Sequence, residues 1–420
     1  MGLVNCVPRK HLAAFDATTG KPTDWDPSVN GLGVSDILLS GGSIYVAGAF
    51  SEVGGQPRSN LAALDPVTGA ATGWVADTDG PMRKLAIAGN RLFASGYFTM
   101  IGTTPRKYLA AFGLPTGQLD ALDLNVNSEP LELTPYGDTL FIGGDFTSVG
   151  GLPRYNVAAV DAAAGTVLDW APSVDNAVQA IAVKDEAVYL GGVFHSIDGL
   201  PRERLGAVSA STGAATSWVA DAANLNPFTT RVYDLALVDS TLYVAGSMDS
   251  IAGVSRAGLA ALDAATGRVL DWNPSFGGAT WTYPPEPGVI WRLAVDQGTL
   301  YAGGRFGWVE TSPVGMLAAY VLTPGPDPPH HPTVVSLAPP APNPAQVGTT
   351  LRFSLPSTAV VDLTVFDVHG RRVASPVPHQ PKPAGDHEVS IRTSDWPAGF
   401  YFCRLEVAGM VATRKFVVLK

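Results

Sequence analysis

The sequence predicts an all-β chain built from stacked four-stranded units, and three observations predict it. First, one phrase recurs about every 48 residues: Leu-Ala-Ala-x-Asp-x-x-Thr-Gly, with Trp five residues after the Gly. Its opening residues are Leu12, Leu61, Leu109, Val157, Leu205, Leu259 and Leu317, at intervals of 49, 48, 48, 48, 54 and 58. A period of that size marks units that bury their apolar faces against their neighbours. Second, each repeat holds four short strand-like runs. In the third and fourth repeats these are Leu131 to Leu133 (interrupted by Glu132), Thr139 to Gly143, Asn156 to Asp161 and Thr166 to Trp170. Third, 46 Gly and 34 Pro supply the turns that many short strands need. Four strands per unit read as the blades of a β-propeller.

The strands of a blade are labelled a to d, with d outermost. From Val4 the chain then reads c-d, five complete a-b-c-d blades and a last a-b-c ending at Leu317-Ala318-Ala319-Tyr320. This is six blades' worth of sequence plus one strand. It closes as six if the last a-b pairs with the first c-d, or as seven in a parent carrying an upstream d-a-b. Val4-Asn5-Cys6-Val7-Pro8-Arg9 aligns with Val149-Gly150-Gly151-Leu152-Pro153-Arg154, which predicts that residue 1 falls inside a repeat. The expectation is a native start further upstream, with its signal peptide there, since Met1 to Lys10 has no apolar core of its own.

The blade phrase resembles a kelch-type repeat. Tyr-Val-Ala-Gly-x-Phe, then Leu-Ala-Ala-Leu-Asp-x-x-Thr-Gly, then Trp fits the pattern in which a glycine pair ends the second strand and a Trp marks the fourth. The likeness runs from Val4 to about Leu322. Ala47-Gly48, Ser95-Gly96 and Ala245-Gly246 depart from the glycine pair, and Leu122 stands where the third repeat should have Trp. The resemblance implies a kelch-like propeller over residues 1–322. It is silent on function, because kelch-like propellers include oxidases and other propellers include lyases and hydrolases. A copper oxidase of that kind needs Tyr, His and Cys ligands converging, and the propeller has only His11 and His195 as histidines and Cys6 as its sole cysteine.

Residues 323–340 are a Pro-rich linker, extended rather than packed. The pair His330-His331 within it is read as linker, with no partner nearby in sequence. Residues 341–420 form a second module. Val361 to Asp367 alternates as a strand does, His369-Gly370-Arg371-Arg372 is a hairpin turn, and Thr413 to Lys420 ends the chain. Pro342-Asn343-Pro344, Phe366-Asp367-x-x-Gly370-Arg371, Ala398-Gly399-x-Tyr401 and Arg414-Lys415 before a terminal apolar strand resemble the C-terminal sorting domain of the type IX secretion system. That implies a small Ig-like β-sandwich, export to the exterior or cell surface, and the secretion machinery as a partner through residues 341–420. An ordinary Ig-like accessory module is the alternative.

Charge and composition exclude several functions. The net charge is −10; residues from Ala341 onward carry nine Lys/Arg against six Asp/Glu, leaving the rest at 18 against 31. An acidic body argues against nucleic acid as a partner. Two cysteines, Cys6 and Cys403, fit neither a disulfide framework nor a zinc site. No apolar run approaches the length of a membrane span. No catalytic triad motif, zinc-protease motif, phosphate loop or calcium loop is present, so no catalytic residue, metal or cofactor is expected.

Residues needed once per blade are read as blade work. Arg9, Arg58, Arg106, Arg154, Arg202 and Arg256 recur three residues before strand c, Asp16, Asp65, Asp161 and Asp263 at its end, and Trp25, Trp74, Trp170, Trp218 and Trp272 in strand d. Function is expected where the pattern breaks. Alternating strand direction puts the b–c and d–a loops on one face. Trp74 to Leu85 and Trp170 to Ile181 each take 11 residues, but Trp218 to Leu235 takes 17 and Trp272 to Leu293 takes 21. The insertions bring Asn224, Asn226, Phe228, Arg231, Trp281, Tyr283, Glu286 and Trp291, and nearby strand ends add Arg305, Trp308 and Glu310. Asp145 and Arg305 follow glycine pairs on blades roughly opposite each other, and His195 follows Phe194; together they are expected to ring the channel mouth. The candidate ligand contacts are therefore Phe228, Trp281, Tyr283, Glu286, Arg305, Trp308, Asp145 and His195. Aromatics with a few polar groups suit a glycan or protein ligand; the alternative is that the longer loops bury their own aromatics. The expected function is a secreted or cell-surface bacterial binding module, with a secreted propeller enzyme and a structural surface-layer component as the rivals.

Overall fold

A computed structural model describes the chain except residues 1, 5–6, 17–18, 20, 115, 225–229, 275, 278–288, 307, 310–311, 314–316, 323–334, 338–339, 341, 356–358, 383–384, 408–409 and 420. It divides into two compact units, Met1–Leu322 and Thr323–Lys420.

The first unit contains six principal antiparallel sheets in chain order, here blades 1 to 6. Their a strands are Asn30–Ser40, Met82–Ala88, Pro130–Tyr136, Val178–Lys184, Arg231–Val238 and Val289–Asp296. Each a strand pairs with its b strand, and each b strand with a c strand that opens on the repeated phrase. Successive a strands lie side by side, which is propeller geometry. In the last blade, Thr299–Arg305 pairs with Leu317–Val321, not with the segment around Leu12. Among the described residues, the blade 1 face is then covered only in part, by Leu12 and Trp25 of the first c–d segment, and the c strand of blade 6 is left open. Ile37 in blade 1 is 50% exposed, whereas its equivalents Leu85, Leu133, Ile181 and Leu235 are buried. Leu317 in blade 6 is 52% exposed, whereas Leu61, Leu109, Val157, Leu205 and Leu259 are buried.

The recurring residues hold each blade together. The Arg before strand c donates from Nη2 to a carbonyl 14 residues on: Arg58 to Thr72 at 2.8 Å, Arg154 to Leu168, Arg202 to Thr216 and Arg256 to Leu270 at 2.6 Å. This clasp ties the loop before strand c to strand d. The Asp at the end of strand c accepts turn amides, as Asp65 does from Val67 and Thr68. The marker Trp stands edge-on to a b-strand aromatic, as in Tyr45–Trp74 and Phe141–Trp170. Trp74 and Trp170 also donate their indole N–H to the next blade, to Gly117 and Ser209. The second glycine of the pair is the indispensable one. A Cβ at Gly48, Gly96, Gly192, Gly246 or Gly304 would lie 2.0–2.3 Å from the carbonyl of an a-strand residue or of the residue just before the strand, whereas at Gly144 the nearest such carbonyl is 3.0 Å away.

Every a strand carries a bulge at the same place, and the residue after it lies on the channel side. Those residues are Asp36, Lys84, Glu132, Ala180, Asp234 and Arg292. Five of the six ionise. Lys84 and Glu132 form an ion pair at 2.9 Å. Asp36 and Asp234 each bridge two strands: Asp234 accepts its own neighbour Leu235 on Oδ1 and Leu293 of the next blade on Oδ2, at 2.9 and 2.8 Å. From sequence, Glu132 interrupts a short strand. The strand is in fact seven residues long and bulges to admit it. Burial pushes the Glu132 carboxyl up to about 7 against the pull of Lys84, and burial also raises Asp234.

The second unit has two sheets. One holds Ser336–Leu337, Gly348–Leu355 and Gly385–Arg392; the other orders Arg372–Lys382, Ala359–Asp367, Gly399–Val407 and Met410–Val418. Leu351, Phe353, Leu363, Val365, Cys403 and Phe416 share their core. The motif residues act locally. Asp367 accepts the His369 and Arg371 amides across the hairpin, Tyr401 donates its hydroxyl to the Pro397 carbonyl, and the Val417 amide donates to the Asn343 side chain. Cys403 is a buried free thiol.

Candidate functional site

The b–c and d–a segments share one face of the propeller, tied by hydrogen bonds that repeat from blade to blade. A short hairpin lies in each b–c segment, as in Met100–Ile101 with Thr104–Pro105, and its first strand bridges to the d–a segment at Thr78. Asp79, Asn127 and Asp175 of successive d–a segments each accept two b–c amides. The residue before strand c is left-handed in every blade that shows it: Asn60, Tyr108, Asn156, Arg204 and Gly258, with His11 before the first repeat. Asn60 and Asn156 suit that backbone and donate their side-chain amides to the Thr78 and Val174 carbonyls.

Blades 2 and 4 break this pattern. In blade 4 Arg204 takes the left-handed position with φ 63°. Its Nη2 lies 3.2 Å from His195 Nε2, and its Nη1 pairs with Glu203. An arginine donates only, so His195 accepts on Nε2 and carries its proton on Nδ1. That nitrogen is 3.9 Å from Asp175 Oδ2, beyond hydrogen-bond reach. The Asp175 Oδ1 atom meanwhile accepts the His195 and Ser196 amides at 2.8 and 3.0 Å. Glu203 donates its amide to Asp221, whose carboxyl burial raises. The result is an exposed imidazole held between an acid and a guanidinium whose backbone is itself fixed. In blade 2 Tyr108 takes the same left-handed position and packs its ring against Tyr97.

Of the residues expected from sequence, His195 enters such a cluster. Asp145 is exposed directly after Gly144, and Arg305 is exposed at the end of Thr299–Arg305, in blades 3 and 6. Trp308 lies in the short strand Trp308–Val309. Phe228, Trp281, Tyr283 and Glu286, with Asn226 and Glu310, lie outside the described residues. Asp175, Glu203, Arg204, Tyr97 and Tyr108 were missed. A usable signal was present: aligning the residue before each strand c shows Asn or Gly at Asn60, Asn156 and Gly258, and His11, Tyr108, Arg204 and Met316 at the other four positions. Among the described residues no group of three or more His, Cys, Asp or Glu is arranged to hold a metal, and no helix is long and apolar enough to cross a membrane.

Residues 7–218, half of the chain, match the family described as outer membrane protein assembly factor BamB. The chain belongs to that family. The BamB-family match takes in blades 1 to 4 and stops at the marker Trp218. Residues 341–419 match the secretion system C-terminal sorting domain, which supports export by the type IX route. Among the curated proteins, none matches the chain. Among solved structures, the computationally designed Ika8 protein is similar at 14% identity, over 93% of this chain and 97% of that one, with a TM-score of 0.41.

Proposed function

We propose that this propeller is an exported, non-catalytic binding module for a glycan or a protein, and that its ligand meets the b–c/d–a face. One observation carries the reading. The hydrogen-bonded frame of that face repeats from blade to blade, yet Tyr108 and Arg204 give up the Asn or Gly that the frame favours and accept a left-handed backbone. Each then makes a contact the frame does not require, to Tyr97 and to His195. Such strain persists at positions kept for function. The kelch-like subtype belongs to the same proposal and rests on the glycine pairs at 143–144, 191–192 and 303–304. So does placement at the cell surface, which rests on the sorting domain.

A secreted enzyme is the second reading, favoured by the approach of His195 to Asp175. One experiment separates the two. The full chain and its His195→Ala variant are applied to glycan and protein arrays. Retained ligand on the wild type and weaker retention on the variant support binding. Conversion of an array glycan or protein, lost in the variant, supports the enzyme. Retention of nothing on either array sinks the binding reading in favour of a structural surface component.

A further inference from the structure

Tyr97 and Tyr108 form a second departure from the repeat, on blade 2. Tyr97 directly follows Gly96, where the other blades have Ala49, Asp145, Val193, Ser247 and Arg305. Their ring centroids are 5.9 Å apart at 51°. Tyr97 is 65% exposed, a large aromatic surface left in water beside a half-buried partner.

The backbone beneath the pair is locked. The Gly96 amide donates to the Tyr108 carbonyl at 3.0 Å, and the Tyr97 amide to the Pro81 carbonyl at 2.8 Å. Gly80 passes so close that a Cβ there would lie 1.9 Å from the Tyr97 carbonyl oxygen. A ring carried on such a frame loses little freedom when a ligand lands on it. Tyr108 meanwhile costs the fold something. At φ 64° it occupies the site where Asn60 and Asn156 fit better and gain a hydrogen bond to the d–a segment. Its contact with Tyr97 does not repay that by closing a core, because Tyr97 stays exposed.

We propose that Tyr97 and Tyr108 are a stacking platform for a neutral carbohydrate chain, with one pyranose ring lying on the Tyr97 face. This rests on the binding reading above and names its ligand class. The C–H face of a sugar ring is apolar while its rim is polar, which matches a tyrosine ring set among exposed polar residues such as Lys107, Thr99 and Asp79. An acidic body, 31 Asp/Glu against 18 Lys/Arg before residue 341, repels polyanionic chains. That leaves neutral ones.

The test uses the full chain with neutral oligosaccharides of glucose, mannose, xylose, galactose and N-acetylglucosamine, alongside acidic glycans. Binding is titrated and melting recorded for wild type, Tyr97→Ala, Tyr97→Trp, Tyr108→Asn and His195→Ala. The expected result is binding of a neutral oligosaccharide that Tyr97→Ala weakens at least tenfold and Tyr97→Trp preserves. Tyr108→Asn installs the residue the repeat itself uses, so it should weaken binding and melt no lower than wild type. Unchanged binding in Tyr97→Ala overturns the platform. So does a Tyr108→Asn variant that melts lower, because the pair is then structural. A ligand lost on His195→Ala but indifferent to Tyr97 refutes the platform and leaves the binding reading standing. Binding of no glycan by the wild type refutes the platform, and the protein array then decides the wider reading.

Discussion

The Asp36 carboxylate reaches across a blade boundary: its Oδ2 accepts the Leu85 amide at 2.8 Å. Its Oδ1 takes the adjacent Ile37 amide at 3.1 Å. The bulge in each a strand frees an amide that the ladder cannot pair, and an Asp at the next position collects its own and its neighbour's. Asp234 does the same for Leu235 and Leu293. The innermost strands are thus stapled by side chains on the channel side.

Asp234→Ala should therefore destabilise the propeller by about 1–3 kcal/mol, since it strands two part-buried amides. Asp234→Asn keeps one acceptor oxygen and should cost less. Urea denaturation of the three proteins measures this. An Asp234→Ala chain as stable as wild type would remove the staple from the account.

Glu132 gives a pH dependence with a definite sign. Its carboxyl ionises at about 7 in the fold, against the ordinary 4.5 of a Glu side chain. Between those values the folded chain holds a proton that the unfolded chain has lost. Stability from this group is therefore greatest below about 4.5, falls as pH rises to 7 and levels off above it. Glu132→Gln stays neutral throughout. Its stability should therefore change less between pH 5 and pH 8 than that of wild type, whatever offset the loss of the Lys84 partner adds at both. Melting curves at the two pH values are the check, and a pH-independent difference would count against the assignment.

The partly covered blade 1 flank predicts a contrast between equivalent residues. Leu85→Ser removes a buried side chain from a blade interface and should cost about 2–4 kcal/mol. Ile37 holds the same strand position but is half exposed, so Ile37→Ser should cost less than about 1 kcal/mol. Equal losses would mean that Ile37 is packed as fully as Leu85.

The sorting domain is tested by export. A chain given a Sec signal, in a host with the type IX machinery, should leave the cell, and the same chain cut after residue 340 should stay in the periplasm. Export of the shortened chain would refute the role assigned to the sorting domain.

The blade framework was legible because each device recurs. The Arg clasp, the Asp turn and the Trp stack are read from register alone, and the sorting motifs sit in order at one terminus. The channel ring was not legible. Its members, Asp36, Lys84, Glu132, Asp234 and Arg292, share a position but neither charge nor size, and a bulge shifts them off the two-residue period on which strand patterns are read. The blade 4 cluster was half legible. His195 stood out as a rare residue, whereas Arg204 passed for an ordinary surface charge, because the left-handed backbone that fixes it is invisible in one repeat and obvious only across all of them.

The central claim is that ligand binds where the b–c/d–a face breaks the repeat. The most direct measurement is calorimetric titration of an array-identified ligand into wild type, Arg204→Asn and Glu186→Gln. Arg204→Asn restores the repeat's own residue and releases His195, whereas Glu186 caps Ser209 and Ser211 at the a–b and c–d turns of the opposite face. The account predicts at least tenfold weaker binding for Arg204→Asn and wild-type binding for Glu186→Gln. Wild-type affinity in Arg204→Asn, or loss confined to Glu186→Gln, would contradict it.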